Sequence, residues 1–575
     1  MRERDVTALD LAALCVLTGT LTTVVFYRYG VDNHIAELPI LMRAIDPAYL
    51  ANDFYTNATA GPGPRFLYAR FVACFATLET LPYVIFALTW IANVSIAAIT
   101  AVSARWWFGG SGLAGGSAAA LVMSVSTFRL GFAPAIYVSQ LLSSRAAAPF
   151  ALLAIFAALA RRPIPAALCA GAAALIHPTF GLETGVIALA ICALGEFVHD
   201  HDRPAGGSRG ISFGAAVALF GGIGVVAAWP ELSGERIDGA EFLAIETLFR
   251  HPHHSLLSEQ ATRDVLRAGI FGLGSIVALW LADRVVGVPR TQTVVGLCLA
   301  IGLLVGATFG ALLFEAIPDR TLALARPLRL LYLLKWWGLV LVGGLLAATW
   351  QQCGTARVRI AISLGTAAFL ALVARPSAGT ALCLGLASAA VLGLWLPRPD
   401  GTGRLATRTA ALALAAAMLA QLFFGERMLP VSWLERTARL RPALTLDTLP
   451  GDEADIARAA RSLTPSHAVF VTPPDTGVFR MVAERATVVD FKAFPFGDTA
   501  MVEWRERLRR CYGDTSKSGF RASRQLAARY RATAPETLAD RGCDYGATFA
   551  VIERETKTAL PLLAENASYA IVALP

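Results

Sequence analysis

Charged residues are scarce in this chain of 575 residues. They make up 16% of the sequence, whereas hydrophobic residues make up 55% and the mean hydropathy is +0.55. Soluble domains carry about 25% charged residues, so the composition excludes an ordinary soluble protein. It indicates a polytopic membrane protein, because a helix that crosses a bilayer needs about 20 predominantly apolar residues.

The sequence also lacks the motifs of several soluble enzyme classes. It contains no phosphate-cradling glycine loop, no dinucleotide-binding fingerprint and no pattern typical of a Ser-His-Asp hydrolase. Lysine is rare beside arginine, and the basic residues behind the net charge of +8 are scattered between apolar segments. We therefore expect no binding of nucleic acid. The preference for arginine, together with abundant alanine, is typical of a bacterial genome rich in G and C.

About thirteen apolar segments lie within residues 9–424 and predict transmembrane helices. The first has no small-residue cleavage site, so we expect a retained helix and not a cleaved signal peptide. The fifth and sixth are short and flank His177-Pro178, which favours either a helix end or a re-entrant element. The predicted spans are residues 9–27, 78–103, 111–126, 146–160, 164–177, 182–198, 211–230, 268–284, 291–315, 329–350, 357–374, 378–396 and 408–424.

The distribution of arginine predicts the orientation. Basic residues concentrate in cytoplasmic loops. Placing the N-terminus in the cytoplasm puts short arginine-bearing segments on that side, such as those with Arg105, Arg161 and Arg284. An odd number of spans then places the C-terminal region outside. We expect a protein of the bacterial inner membrane whose C-terminal region lies in the periplasm.

The composition changes near residue 425. Residues 1–424 are predicted to form the transmembrane domain, with long outer loops at 28–77 and 231–267, and residues 425–575 a small periplasmic domain. Short β-rich runs alternate with helical patterns in this last part, so a small α/β fold is expected. Its two cysteines, Cys511 and Cys543, are predicted either to form a disulfide or to remain as structural thiols.

A polar segment with Asp32, His34 and Glu37 follows the first span. A carboxylate just outside the membrane can act as a general base on an acceptor hydroxyl. It can also bind Mg²⁺ or Mn²⁺ through its oxygens. Asp is equally favoured as the cap of a helix, and Ile35 to Ala44 has the spacing of an amphipathic interfacial helix. These interpretations of Asp32 remain open at this point.

A second polar segment places Arg250, His251, His253 and His254 within five residues. Their spacing does not match the usual zinc patterns, so no structural metal site is predicted. Contact with a pyrophosphate or a sugar is one interpretation, because guanidinium and imidazolium groups both donate to phosphate oxygens. The alternative is a solvated loop with chance histidine content.

Three further residues are candidates for substrate contact. His177 lies at or near membrane depth, where ionisable groups usually face an internal cavity. Arg320 and Arg326 lie in the short outer loop before the tenth predicted span and are well placed for a lipid phosphate. The alternatives are a hydrogen-bonded histidine at a helix end and a solvated loop.

This layout resembles the GT-C superfamily of polyprenyl-phosphate-dependent membrane glycosyltransferases. The shared features are a cytoplasmic N-terminus, a long first outer loop with an acidic residue after the first span, many further spans and a C-terminal outer domain. The chain lacks the Trp-Trp-Asp motif of oligosaccharyltransferases, so a peptide acceptor is not expected. It also resembles an uncharacterised bacterial family of multispanning proteins, through Asp46-Pro47 with Asp53, the 250–254 segment, and Asp490 to Pro495 with Trp504.

The resemblance implies an enzyme that moves a sugar from a polyprenyl-phosphate-linked donor to a periplasmic glycan or lipid. Asp32 matches the catalytic carboxylate by position, with Glu37 as the alternative. Two other hypotheses remain: a transporter or translocation partner for an envelope glycolipid, and a non-catalytic scaffold derived from a GT-C fold. The residues expected to contact substrate are His34, His177, Arg250, His251, His253, His254, Arg320 and Arg326.

Overall fold

The computed structural model describes residues 6–126, 128–130, 133–199, 207–352, 356–374 and 444–575. Helices dominate up to residue 374, with π-helical turns at Leu243–Arg250 and Ala282–Val286 and a 3₁₀ turn at Pro327–Arg329. The α-helices are α1 (Ala8–Phe26), α2 (His34–Ile45), α3 (Phe54–Ala58), α4 (Phe66–Ala73), α5 (Leu81–Trp107), α6 (Gly112–Val125), α7 (Ser143–Leu159), α8 (Pro163–Ile176), α9 (Pro178–His199), α10 (Gly207–Leu232), α11 (Gly239–Phe242), α12 (Pro252–Ser255), α13 (Thr262–Leu281), α14 (Arg290–Ala316), α15 (Arg320–Ala325), α16 (Leu330–Gln352) and α17 (Ala356–Ala374).

Within the described residues, seven helical segments are long and apolar enough to cross a membrane, and α6, α7 and α8 are apolar but shorter. The chain is therefore a multi-pass membrane protein. Each of the first eleven predicted spans coincides with an apolar helix. The predicted spans 378–396 and 408–424, and the predicted domain boundary at residue 424, fall outside the described residues. The long segments are Ala8–Phe26, Leu81–Trp107, Pro178–Val198, Gly210–Leu232, Thr262–Val286, Arg290–Ala316 and Arg320–Gln351.

Helices α8 and α9 form a close hairpin joined by the single residue His177. A proline begins each helix, where its missing N–H costs no hydrogen bond. Gly181 of α9 packs directly on α8, and an added Cβ there would lie 2.0 Å from the backbone nitrogen of Ala174. Only glycine permits this approach, as is common where membrane helices pack closely. The hairpin fixes the polar start of α9 in place.

Helix α16 lies in the interior of the membrane part. Lys335, Trp336 and Trp337 are almost completely buried. The ammonium of Lys335 donates hydrogen bonds to the carbonyl oxygens of Phe128 and Pro134, the second at 2.9 Å. These bonds satisfy carbonyl groups of the irregular segment before α7, which would otherwise be buried without partners.

Helix α2, expected at Ile35 to Ala44, is present but is mostly buried. The side chain of Ile35, in this helix, packs on Gly477. A Cβ added to Gly477 would lie 2.2 Å from Cδ1 of Ile35. The hydroxyl of Tyr55, in α3, donates to the carbonyl of Ala36 at 2.5 Å. The amphipathic helix is therefore covered by the C-terminal region and does not lie free at a membrane surface.

The C-terminal region is a small α/β unit. Its five strands are β1 (Val469–Val471), β2 (Ala486–Thr487), β3 (Phe549–Glu553), β4 (Leu562–Glu565) and β5 (Tyr569–Ala573). Their order in the sheet is β2-β1-β3-β5-β4, with β1 parallel to β2 and β3, and β5 antiparallel to β3 and β4. Helices cover the sheet at Asp452–Leu463, Phe479–Ala483, Asp498–Tyr512, Gly519–Ala532 and Pro535–Cys543.

The predicted α/β character of this region is confirmed. Cys511 is a buried free thiol, which favours the interpretation without a disulfide. The aromatic run that ends at Trp504 packs against the membrane part, because the ring of Phe249 lies 5.8 Å from that of Phe491 and 5.9 Å from that of Trp504. This surface fixes the C-terminal region next to the π-helical turn that carries Arg250.

Candidate functional site

Asp32 lies between α1 and α2, and its backbone adopts the left-handed region with φ of +51°. Its side chain is 62% exposed, and Oδ2 lies 3.5 Å from Nη1 of Arg28. Helix α2 begins at His34 with Asn33 in the cap position and no side-chain capping bond. Asp32 therefore does not cap the helix, and its carboxylate is accessible to a ligand.

The other two candidates of this segment have structural partners. Burial lowers the pKa of His34 to about 4, and its Nδ1 accepts a hydrogen bond from the N–H of Gly30 at 3.2 Å. Glu37 accepts hydrogen bonds from the N–H and Oγ of Ser143 at 2.7 and 3.2 Å and lies 3.2 Å from Nε of Arg65. Because α7 begins at Ser143, Glu37 caps that helix from a distant part of the chain.

A buried arginine joins the loop between α2 and α3 to the C-terminal region. Nε of Arg480 donates to Oδ1 of Asp53 at 2.9 Å, and its Nη1 lies 2.7 Å from Oδ2 of Asp490. Burial opposes the charged form, but the two carboxylates raise the pKa of Arg480. Asp53 also accepts a hydrogen bond from the N–H of Thr56 at 2.9 Å. We call Asp53, Arg480 and Asp490 the triad.

This triad places Lys492. The second oxygen of Asp490 accepts a hydrogen bond from the N–H of Ala493 at 2.6 Å, and the indole of Trp504 donates to the carbonyl of Asp490 at 2.9 Å. Lys492 lies within this turn, and its ammonium interacts electrostatically with Arg250 and Asp32. Burial and the charge of Arg250 lower the pKa of Lys492 to about 8.

Arg250 ends the π-helical turn Leu243–Arg250. Its Nη2 donates to the carbonyl of Lys492 at 3.1 Å, and its guanidinium lies 4.9 Å from the ring centre of Phe491. Burial lowers the pKa of Arg250 to about 10. Its Nε is buried and has no hydrogen-bond partner among the described residues. This donor is therefore available to an anion, and π-helical turns are frequent at functional sites.

The three histidine rings pack against one another, and His251 is buried. The ring centres of His251 and His254 lie 5.0 Å apart, and those of His253 and His254 lie 4.2 Å apart. Burial lowers the pKa of each, that of His253 to about 4, and the charge of Arg326 adds to this effect in all three. The imidazoles are neutral near pH 7, so positive charge in this group comes from arginine and lysine.

Glu246 and Arg326 contact the histidines and each other. Arg326 donates a hydrogen bond to Oε1 of Glu246, and its Nη1 lies 3.2 Å from Nδ1 of His254. Nδ1 of His251 lies 3.3 Å from the same Glu246 oxygen, without the geometry of a hydrogen bond. We call the resulting set the basic cluster: Arg250, His251, His253, His254, Arg326 and Lys492.

Arg320 and His177 take other partners. The guanidinium of Arg320 forms two hydrogen bonds with the carboxylate of Asp498, at 2.7 and 2.9 Å. Nδ1 of His177 accepts from the N–H of Phe180 at 3.3 Å and so caps α9. The hydroxyl of Thr179 lies 3.3 Å from the same nitrogen. Arg320 thus contributes to the contact between the membrane part and the C-terminal region, and His177 caps the start of α9.

Comparisons with known proteins bear on this arrangement. The model of a family described as a domain of unknown function, DUF6798, matches residues 451–511, and no curated protein matches the chain. The crystal structure of ArnT from Cupriavidus metallidurans, bound to undecaprenyl phosphate, covers 99% of this chain and 97% of its own. The TM-score is 0.50 and the sequence identity 14%. The likeness is one of fold: this chain has a GT-C-like architecture.

The described residues of this GT-C fold do not fit a divalent metal. No group of three or more His, Cys, Asp or Glu side chains among them is arranged to hold an ion. Asp32 has a guanidinium as its neighbour and not a second carboxylate, whereas Mg²⁺ and Mn²⁺ require several oxygen ligands.

The GT-C fold brings some of the predicted residues together and separates others. Asp32 and Arg250 both interact with Lys492, which was not among the predicted site residues. Glu246, which was not predicted, lies one helical turn before the Arg-His segment and could have been found from that spacing. The roles of the individual residues in substrate contact remain predictions.

Proposed function

We propose that this protein is a GT-C-type glycosyltransferase that moves a sugar from a polyprenyl-phosphate-linked donor to a glycan or lipid acceptor. The bacterial inner membrane, a cytoplasmic N-terminus and a periplasmic C-terminal region belong to the same proposal. The observation that carries it is the junction beside α2, where the exposed carboxylate of Asp32 interacts with Lys492 next to Arg250. Binding of undecaprenyl phosphate by a protein of similar fold supports the substrate class.

Arg250 and Lys492 are the cationic groups of this junction that can bind an anionic ligand. Asp490 and Asp53 share the guanidinium of Arg480, and Glu246 is paired with Arg326. Among the described residues, Arg250 and Lys492 have no carboxylate within ion-pair distance, although both are largely buried. A buried donor without a hydrogen-bond partner, such as Nε of Arg250, is costly. A phosphate would satisfy this donor through a charge-assisted hydrogen bond.

The same groups account for a transfer step. The acceptor hydroxyl oxygen forms a bond to the anomeric carbon of the donor sugar, and its proton passes to a carboxylate oxygen of Asp32. The bond between the anomeric carbon and the phosphate oxygen breaks, and the electron pair leaves with the polyprenyl phosphate. Arg250 and Lys492 stabilise the negative charge on the leaving phosphate.

The test uses the full chain in lipid nanodiscs. We expect it to bind undecaprenyl phosphate, and to release undecaprenyl phosphate from at least one of a panel of undecaprenyl-phosphoryl hexoses when envelope extract supplies the acceptor. Asp32→Asn should lower turnover by about 10² to 10⁴, the usual contribution of a general base, without loss of lipid binding. The matched control is Glu79→Gln, which changes an exposed carboxylate just before α5.

Two results would contradict this proposal. Full turnover by Asp32→Asn would remove the assigned base. Binding of undecaprenyl phosphate without turnover of any donor, but with movement of labelled glycolipid between leaflets, would favour the transport hypothesis. Failure of the wild-type chain to bind undecaprenyl phosphate would leave the scaffold hypothesis in its place.

A further inference from the structure

A second polar group lies where α9 begins. Nη1 of Arg329 donates to Oγ1 of Thr179 at 2.7 Å. Thr179 and Glu183 are one helical turn apart and therefore share a face of α9. Oε1 of Glu183 is buried and has no hydrogen-bond partner among the described residues. The carboxylate thus faces the side on which Arg329 lies, with an unused acceptor.

The charged side chains near the start of α9 interact electrostatically but do not form ion pairs. Arg329 interacts electrostatically with Glu183 and with Glu231, which ends α10 together with Leu232. No nitrogen of Arg329 lies within 4.0 Å of either carboxylate in the described part of the chain. Ionisable groups at this depth in a membrane protein are costly and usually face a polar cavity or a ligand. The guanidinium and the two carboxylates are therefore not in direct contact.

The chemistry of these side chains selects the kind of ligand. Two carboxylates face one guanidinium, because Arg326 is already paired with Glu246, so a phosphate would be repelled. An ammonium group could not accept a hydrogen bond from Arg329. A hydroxyl group can donate to the carboxylate of Glu183 and accept from the guanidinium of Arg329 at the same time. Neighbouring hydroxyls, as in a sugar, would satisfy both glutamates.

We propose that Glu183, Glu231 and Arg329 form a subsite that binds the hydroxyl groups of a sugar. The inference rests on the proposed glycosyltransferase function and extends it from the phosphate to the sugar. Arg326 links the two places, since it contacts His254 of the basic cluster and interacts electrostatically with Glu183 and Glu231. The sugar is supplied either by the donor lipid or by a glycolipid acceptor.

The experiment compares lipids that differ only in their sugar, on the full chain in nanodiscs. The donor arm measures the Kd of undecaprenyl phosphate and of undecaprenyl-phosphoryl glucose, galactose and mannose. The acceptor arm measures the Kd of diacylglycerol and of monoglucosyl diacylglycerol. We expect the wild-type chain to prefer the sugar-bearing lipid in one arm. Glu183→Gln and Arg329→Gln should each reduce that preference about tenfold, as for loss of a charged hydrogen bond.

The controls separate a binding role from a structural one. Glu196→Gln makes the same change near the other end of α9 and should leave the preference within about twofold of the wild type. The Tm of each variant shows whether it folds. If Glu183→Gln does not fold, Glu231→Gln tests the subsite independently. The arm in which the preference is lost identifies the source of the sugar.

The outcomes distinguish this inference from the proposed function. A wild-type chain without sugar preference in either arm overturns the subsite, as does a preference that both the Glu183 and Glu231 variants keep. If the wild-type chain binds undecaprenyl phosphate normally in these cases, the proposed function survives. If it binds no polyprenyl phosphate but prefers monoglucosyl diacylglycerol through Glu183, the subsite stands and the donor assignment falls.

Discussion

Arg320 and Asp498 form a two-point ion pair between the start of α15 and the C-terminal region, with N–O distances of 2.7 and 2.9 Å. Asp498 is 6% exposed and Arg320 24%. The same carboxylate accepts a hydrogen bond from the N–H of Ile237 at 2.9 Å. One aspartate therefore fixes two segments of the membrane part against the C-terminal region.

Arg320→Ala should loosen this docking contact. Removing one partner leaves Asp498 largely buried without its counter-ion, and we expect a loss of about 1–3 kcal/mol because the arginine is partly exposed. Hydrogen exchange of residues 498–512 in the purified protein should rise. Arg458→Ala, which breaks an exposed pair with Asp455, is the matched control. Unchanged exchange with a tenfold weaker Kd for undecaprenyl phosphate would instead support the predicted phosphate contact.

Arg480→Met should destabilise the protein more strongly. It would leave Asp53 and Asp490 buried and unpaired, which typically costs about 3–5 kcal/mol. Thermal unfolding in detergent should therefore show a clearly lower Tm than for Arg554→Ala, which removes an exposed charge. A Tm equal to that of this control would mean that the triad contributes little to stability.

Binding of undecaprenyl phosphate should weaken as the pH rises through about 8. The charged ammonium of Lys492 is the form that binds phosphate, and it is lost above its lowered pKa of about 8. We expect Kd to rise about tenfold between pH 7 and pH 9, as for loss of one charged hydrogen bond. Lys492→Arg should abolish this dependence because guanidinium stays charged.

Lys517→Arg provides the control, since Lys517 is exposed in the C-terminal region. This variant should keep the pH dependence of the wild type. A Kd that is flat with pH in the wild-type chain would exclude Lys492 from phosphate binding.

Acid should destabilise the protein through His34. Its folded pKa of about 4 lies below the ordinary value of 6.5, so the folded state favours the neutral imidazole. Its contribution is complete above pH 6.5 and is lost as the pH falls towards 4, with a total of about 3 kcal/mol. His34→Asn should flatten the fall of Tm over this range, whereas a change at the exposed His467 should not. An unchanged slope would show that other groups control the acid transition.

Patterns confined to neighbouring residues were sufficient for much of the fold. Apolar runs predicted eleven helices that the structure contains. Short β-rich runs predicted strands at 467–472, 548–553 and 569–574, which contain β1, β3 and β5, whereas the strand predicted at 487–491 overlaps β2 only at Thr487. Strand β4 escaped prediction because it is an edge strand with partly exposed side chains on both faces. The helices at Gly519–Ala532 and Pro535–Cys543 were missed, although Leu526 and Tyr530 have helical spacing.

The partners of the candidate residues could not be found in this way. Glu37 caps α7 from 106 positions away, and Arg320 meets Asp498 across 178 positions. Neither contact leaves a local signal, because an isolated acid or base in a loop has the same sequence context whether it binds a ligand or a distant side chain. The Arg-His segment was recognised from its composition, but its stacking and its contact with Lys492 depend on the tertiary fold.

The pairing of Asp53 with Arg480 has a consequence for the order of events during synthesis. The two residues are 427 positions apart, so at about 5–20 residues per second roughly 20 to 90 s pass between their translation. Until then the carboxylate of Asp53 can bind only water or local groups, and the turn that carries Lys492 does not exist. The junction beside α2 is therefore completed late, after most of the helices have been inserted. A ribosome-stalled chain ending before Arg480 would contain Asp32 and Arg250 but would lack Lys492, the residue that interacts with both.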